Sequence, residues 1–212
     1  SFYYAHHMST IEGGMICTND KKAYNDLLML RSHGMVREAK DYYFKKSIKK
    51  KYKDLNSQFI FYHQGYNVRN TEIGGVLGQS QIKRLDFNIK KRISNFNYFL
   101  KNLNNKIYFV DFNLNGQSNY AFSVILKNKS VTLMRELEKK LKSNRIEYRL
   151  GTAGGGNQLR QPYLRKLKSY KKIKNLKNCD HVHFYGLYIG NYPDLKKKDI
   201  DFLLKILNSL KK

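Results

Sequence analysis

Apolar residues at Ala23, Leu27 and Leu30 recur at i, i+4 and i+7, and that spacing predicts a helix over NDKKAYNDLLMLRSHG (19–34). Asn19 or Asp20 would cap it, since a short polar side chain can take up an orphan N–H, and Gly34 would stop it. The apolar run GGMICT (13–18) just before it reads as a strand, so the chain begins as strand feeding helix. From 38 to 70 the periodicity is lost among Tyr, Lys, Gln and Asn, and a long excursion of loops with a hairpin is expected. Thr71 and Glu72 open a helical stretch through Val76, Leu77 and Ile82 to about Leu85. A second runs from about Asn88 to Leu103, with Ile89, Ile93, Phe96 and Leu100 on one face. The pair reads as a hinge between two lobes, residues 1–85 and 86–212.

The second lobe alternates period-2 and period-3.6 patterns. It reads as strands at 106–112 (KIYFVDF), 119–127 (NYAFSVILK) and 145–150 (RIEYRL), a helix at 131–142, a glycine-rich loop at 151–160, a strand at 181–189 and a terminal helix from about 197. In that last helix Ile200, Leu203, Leu204 and Leu207 form a single apolar stripe, which is core packing. The lobe is therefore α/β in class, and no internal repeat is evident.

Composition narrows the function classes. With 41% hydrophobic and 14% aromatic residues in 212, the chain is globular rather than disordered. No apolar run approaches the ~20 residues of a membrane span, and the first residues lack a signal-peptide pattern. Cys17 and Cys179 form no CxxC pair and read as reduced thiols of a cytoplasmic protein. The net charge of +25 points to a polyanion. Its lysines cluster at 45–53, 166–177 and 196–198 but also occur throughout, and no nucleic-acid motif accompanies them, so a specific nucleic-acid partner is not expected.

Isolated motifs say little. The loop GTAGGGNQLR has glycines enough to cradle a phosphate, but no GK[ST] follows and the dinucleotide fingerprint is absent. On the expected strand, Cys179, His181 and His183 share a face; zinc would need a fourth ligand, so a half-buried strand is the plainer account and no metal site is expected. His33 and His63 have no partner pattern.

Longer strings are more specific. SFYYAHHMSTIEGGMICTND, LRSHGMVRE and GYNVRNTEIGGVLGQSQIKRLD resemble the DegT-type nucleotide-sugar aminotransferases and dehydratases, fold type I enzymes that use pyridoxal phosphate. The resemblance spans nearly the whole chain. It implies an aspartate-aminotransferase-like α/β fold, with 1–85 the end of the large cofactor-binding domain and 86–212 the small C-terminal domain. Where the family has its Schiff-base lysine, between a serine matched by Ser1 and glycines matched by Gly13 and Gly14, this chain has His6. An imidazole has no primary amine, so the cofactor would sit non-covalently. In this the chain is similar to the sugar 3-dehydratase branch, and GTAGGGNQLRQP with HFYGLYIGNYPDL is similar to that branch's C-terminal lobe.

The resemblance implies dehydration at C-3 of a nucleotide-linked 4-keto-6-deoxysugar, with pyridoxamine phosphate as cofactor and His6 moving the proton. An unperturbed imidazole, with a pKa of ~6.5, suits that task. It further implies Ser1 and Asn67 as cofactor-phosphate ligands, Asn67 in the partner subunit's site of a homodimer. His7 would orient His6 or contact substrate, or else simply pack. Arg149 and Arg160 are candidates for a nucleotide diphosphate or a glutamate carboxylate, or else surface ion pairs. Some relatives carry a [2Fe–2S] cluster on four cysteines; two cysteines cannot build one, so an iron-free enzyme that uses glutamate to restore the amine is expected. The family's pyridinium-facing aspartate, ring-stacking aromatic and phosphate-binding turn are not found, and an incomplete enzyme is expected. An aminotransferase of the same family, a basic binding module and an inactive remnant stay open as alternatives.

Overall fold

The computed structural model describes residues 1–151, 155–167 and 176–211. The chain forms two compact units, Ser1–Lys83 and Arg84–Lys212.

In the first unit, helix α1 (Lys21–Leu30) begins where the sequence predicts: Asp20 caps it, its carboxylate accepting the Ala23 N–H. Gly34 follows at φ +76°, and a Cβ there would lie 1.8 Å from the His63 carbonyl oxygen, while one on Gly65 would lie 2.7 Å from the Gly34 nitrogen. Two backbones therefore meet at a pair of glycines, bringing segment 31–36 against 60–68. His33 N–H donates to Tyr66, Val68 N–H to Arg31 and Val36 N–H to Ile60.

Two expectations fail here. Residues 13–18 form no strand; Met15 and Ile16 are exposed, and no ladder takes up their backbone among the described residues. The excursion at 38–70 holds a helix rather than a hairpin, α2 (Tyr42–Lys51), capped by Asp41 on the Phe44 N–H. Its inner face is only Ile48 and half-buried Phe44, packed with Val36 and Ile60. That stripe is too thin to show as a period among five lysines.

The two expected helices at 71–103 are one, α3 (Glu72–Asn102), of 31 residues. Nothing in DFN (86–88) breaks it, for neither proline nor glycine interrupts the ladder there.

The second unit holds strand β1 (Ala121–Ile125), helix α4 (Val131–Ser143), strand β2 (Arg149–Leu150), short helix α5 (Pro162–Arg165), helix α6 (Lys177–Tyr185), strand β3 (Gly186–Gly190) and helix α7 (Lys197–Asn208). The sheet is antiparallel with β3 central, in the order β1-β3-β2, and its register sets Ser123, Tyr188 and Arg149 in one row. Phe122, Val124, Leu187 and Ile189 face a core closed by Phe96, Phe99, Leu137, Leu141, Leu203 and Leu207. Phe99 stacks on Phe122 with centroids 4.4 Å apart. Ser130 caps α4.

Other expected strands shorten or change type. Of 106–112 only a bridge from Tyr108 to Leu126 remains, the Tyr108 hydroxyl being buried against the Leu207 carbonyl. The strand at 145–150 shrinks to two residues. The expected strand at 181–189 is helical up to Tyr185 and extended only from Gly186. Three asparagine and arginine side chains knit α3 to the end of the sheet: Asn191 donates to the carbonyls of Arg92 and Asn119, and Arg92 and Asn95 donate to Asn191.

Candidate functional site

Ser1, His6 and His7 lie on a closed loop over residues 1–13. Phe2 holds it at two points, donating its N–H to Gly13 and accepting that of Thr10, both at 2.9 Å. The buried Thr10 hydroxyl donates to the Glu12 carbonyl at 2.7 Å. Ile11 adopts φ +72°, a conformation β-branched residues rarely enter, with its N–H held by Ser9 Oγ. The loop sits close to the start of α3: Cβ positions built on Gly13 and Gly78 lie 3.7 Å from Asn70 Nδ2 and 3.6 Å from Thr10 Cγ2.

Within this loop His6 is half-buried. Its N–H donates to the Tyr3 carbonyl at 3.0 Å, and its ring meets that of Tyr3 edge-to-face, centroids 5.9 Å apart. The Tyr3 N–H in turn donates to Ser1 Oγ at 3.3 Å. A hydroxyl oxygen that accepts there keeps its own hydrogen for an anion. His7 is half-buried in the same loop.

Asn67 lies in the same unit, paired with Ser32 in an isolated antiparallel bridge. Its amide oxygen accepts from Arg69 Nε at 3.2 Å, so an exposed amide and an exposed guanidinium stand together. Sequence reasoning passed over Arg69, although GYNVRN places it two residues on, on the same side of an extended segment.

The remaining candidates belong to the second unit. Arg149, exposed on β2, reaches Glu147 at 3.3 Å. It stands near Tyr120, whose phenol is pushed up by burial and by Tyr188, with Arg149 pulling the other way. These tyrosines line a recess of about 190 Å³ with Ser123, Gly151 and Val182. Arg160 makes a two-pronged fork to Asp180, at 2.8 and 2.9 Å, and lies over the Phe184 ring. That fork, with the Asn157 amide, holds the Asp180 carboxyl down at about 2. The Asn157 backbone N–H donates to His183 Nδ1, tying the far end of the glycine-rich loop to α6.

On α6 Cys179, His181 and His183 do not share the face that a strand would have given them. His181 donates Nε2 to the Leu126 carbonyl at 2.7 Å, His183 holds the loop and Cys179 is exposed. A helix spaces alternate residues ~200° apart, so period-2 reasoning fails once the segment is helical. Among the described residues no cluster of His, Cys, Asp and Glu could hold a metal, and no helix is long and apolar enough to cross a membrane. Residues 152–154 of the glycine-rich loop and 168–175 of the lysine cluster at 166–177 lie outside the described residues.

A sequence model of the DegT/DnrJ/EryC1/StrS aminotransferase family matches residues 1–208. GDP-4-keto-6-deoxy-D-mannose 3-dehydratase of Escherichia coli O55:H7 is 32% identical over 208 residues, 98% of this chain and 53% of that protein. The enzyme of the same name from Yersinia pseudotuberculosis is 31% identical over 211 residues, 98% of this chain and 52% of that protein. A crystal structure of GDP-4-keto-6-deoxymannose-3-dehydratase with a trapped PLP-glutamate geminal diamine superposes at a TM-score of 0.73 with 29% identity, covering 97% of this chain and 53% of that one. This chain spans about half the length of the curated relatives it matches.

Proposed function

We propose, since the chain belongs to the DegT/DnrJ/EryC1/StrS aminotransferase family, that the protein carrying it removes the C-3 hydroxyl of a nucleotide-linked 4-keto-6-deoxyhexose, with glutamate as amine donor. The observation that supports this reading is the half-buried imidazole of His6 on the closed loop, at the place where the family's transaminases need an amine. The donor set fits a non-covalently held pyridoxal or pyridoxamine phosphate: a serine hydroxyl with its hydrogen to spare, an amide beside a guanidinium, and no lysine at position 6. When bound, the cofactor supplies an amine for the sugar ketone and a ring that spreads the charge left by proton removal.

This chain's residues do the rest. Ser1 Oγ donates to a phosphate oxygen. Asn67, with Arg69, serves the phosphate in the partner subunit's site of a homodimer, as their exposure allows. His6 takes up one proton on an imidazole nitrogen and returns it to the departing C-3 oxygen, which leaves as water. His7 faces substrate, and Arg149 recognises an anionic group of the nucleotide sugar or of glutamate. Arg160 acts through its fork with Asp180, orienting the loop that precedes it.

Incubation of the protein with GDP-4-keto-6-deoxymannose, glutamate and pyridoxal phosphate tests this. The expected product is a 3-deoxy keto sugar lacking one oxygen, with 2-oxoglutarate and ammonia formed alongside. An amino sugar that retains its 3-hydroxyl would make the protein an aminotransferase instead.

A further inference from the structure

Three contacts of Tyr3 single it out between the two ends of the proposed chemistry. Its N–H donates to Ser1 Oγ at 3.3 Å, its carbonyl accepts the His6 N–H at 3.0 Å, and its ring packs edge-to-face on the His6 imidazole at an interplanar angle of 74°. The backbone contacts survive any side chain; the ring contact is tyrosine's own. Tyr3 also packs on Tyr4, centroids 4.4 Å apart, which limits its freedom to leave His6. At 37% exposure the ring is not a core residue, so its position does not follow from burial of apolar surface.

We infer that Tyr3 is a positioning residue for His6: its aromatic face and edge fix the imidazole plane so that one ring nitrogen points to the reacting proton. This rests on the proposed role of His6. A base must be aimed as well as present, because misplacement by even ~1 Å can cost about a hundredfold in rate. An aromatic pair contributes only modestly, so loss of the ring should cost about two- to tenfold.

The test compares Tyr3→Leu, Tyr3→Phe and His6→Asn in the cofactor-loaded protein. In Tyr3→Leu, kcat should fall about two- to tenfold with KM unchanged, while Tyr3→Phe, which keeps the ring, should restore the wild-type value. Independently of turnover, the His6 ring protons should show an aromatic ring-current shift by NMR in the wild type and Tyr3→Phe, lost in Tyr3→Leu. Wild-type kcat in Tyr3→Leu, equal damage in Tyr3→Phe, or a His6 signal indifferent to residue 3 would each overturn the inference. Full activity in His6→Asn would instead remove the reading of His6 as base, and the NMR comparison would still report whether Tyr3 orders the ring.

Discussion

Residues 84–212 and residues 1–83 are held together by different means. In the former, helix and strand faces meet in one continuous apolar cluster running from Phe96 to Leu210. In the latter the largest cluster is Val36, Ile48 and Ile60, while Ile73, Val76 and Ile82 on the first half of α3 are more than half exposed. Backbone hydrogen bonds do much of the work there, closing the loop around Phe2 and joining 31–36 to 60–68. The proposed base and phosphate ligands thus lie on loops fixed by hydrogen bonds, whereas Arg149 and Arg160 stand in the well-packed unit. Such loops can change residue type without disturbing a core.

The largest effect that would sharpen this contrast is catalytic. His6→Asn should lower dehydration by roughly 10² to 10⁴ while leaving the unfolding midpoint nearly unchanged, because the ring is half-buried and belongs to no apolar cluster. His6→Lys should yield a borohydride-reducible adduct with pyridoxal phosphate. Undiminished turnover in His6→Asn, or no adduct in His6→Lys, would place the base elsewhere.

Next in size is a stability difference between the regions. Phe122→Ala, which empties the space stacked against Phe99, should cost about 3–5 kcal/mol in urea unfolding. Ile73→Ala, at a position 72% exposed, should stay within about 0.5 kcal/mol. Equal losses would show that the contrast in packing has no energetic meaning.

A smaller effect concerns the polar device within the packed unit. Asp180 titrates at about 2 in the folded chain against an ordinary 3.8, so its contribution is fully present above the ordinary value and disappears as pH falls through about 2. Thermal midpoints measured from pH 5 to pH 2 should therefore decline less steeply in Asp180→Asn than in the wild type. Parallel declines would mean that the Arg160 fork adds nothing to folding.

The smallest expected effect is on nucleic acid. The +25 charge is dispersed along the chain. Duplex DNA should accordingly bind only at a Kd of ~10⁻⁴ to 10⁻⁶ M and be released by salt. Nanomolar, sequence-selective binding in gel shifts would revive the polyanion alternative.

Where the sequence carried a full amphipathic stripe with a capping side chain, the elements were legible: α1 behind Asp20, α4 behind Ser130, and the buried face of α7. Legibility failed where one or two apolar residues sufficed, as in α2, and where HVHF imitated alternation inside a helix that ends only at Gly186. His6, Ser1 and Asn67 are proposed from resemblance alone, for no spacing rule marks an imidazole as a base. Their supports could not be found that way. The Phe2 clasp is made of backbone groups, and the partner of Arg160 is a carboxylate twenty residues distant whose approach depends on the fold.

The meeting of Gly34 and Gly65 sets a limit on how this chain can drift. A methyl group at either position would collide with the other's neighbourhood, at 1.8 Å in one case and 2.7 Å in the other, and the obstacle is main chain, which no second substitution can shrink. In a saturation library scored for folded protein, both positions should tolerate glycine alone. Tyr66, the next residue and 84% exposed, should accept nearly every side chain. Two codons would then be frozen beside one that is almost free, in a segment whose composition alone gives no hint of the difference.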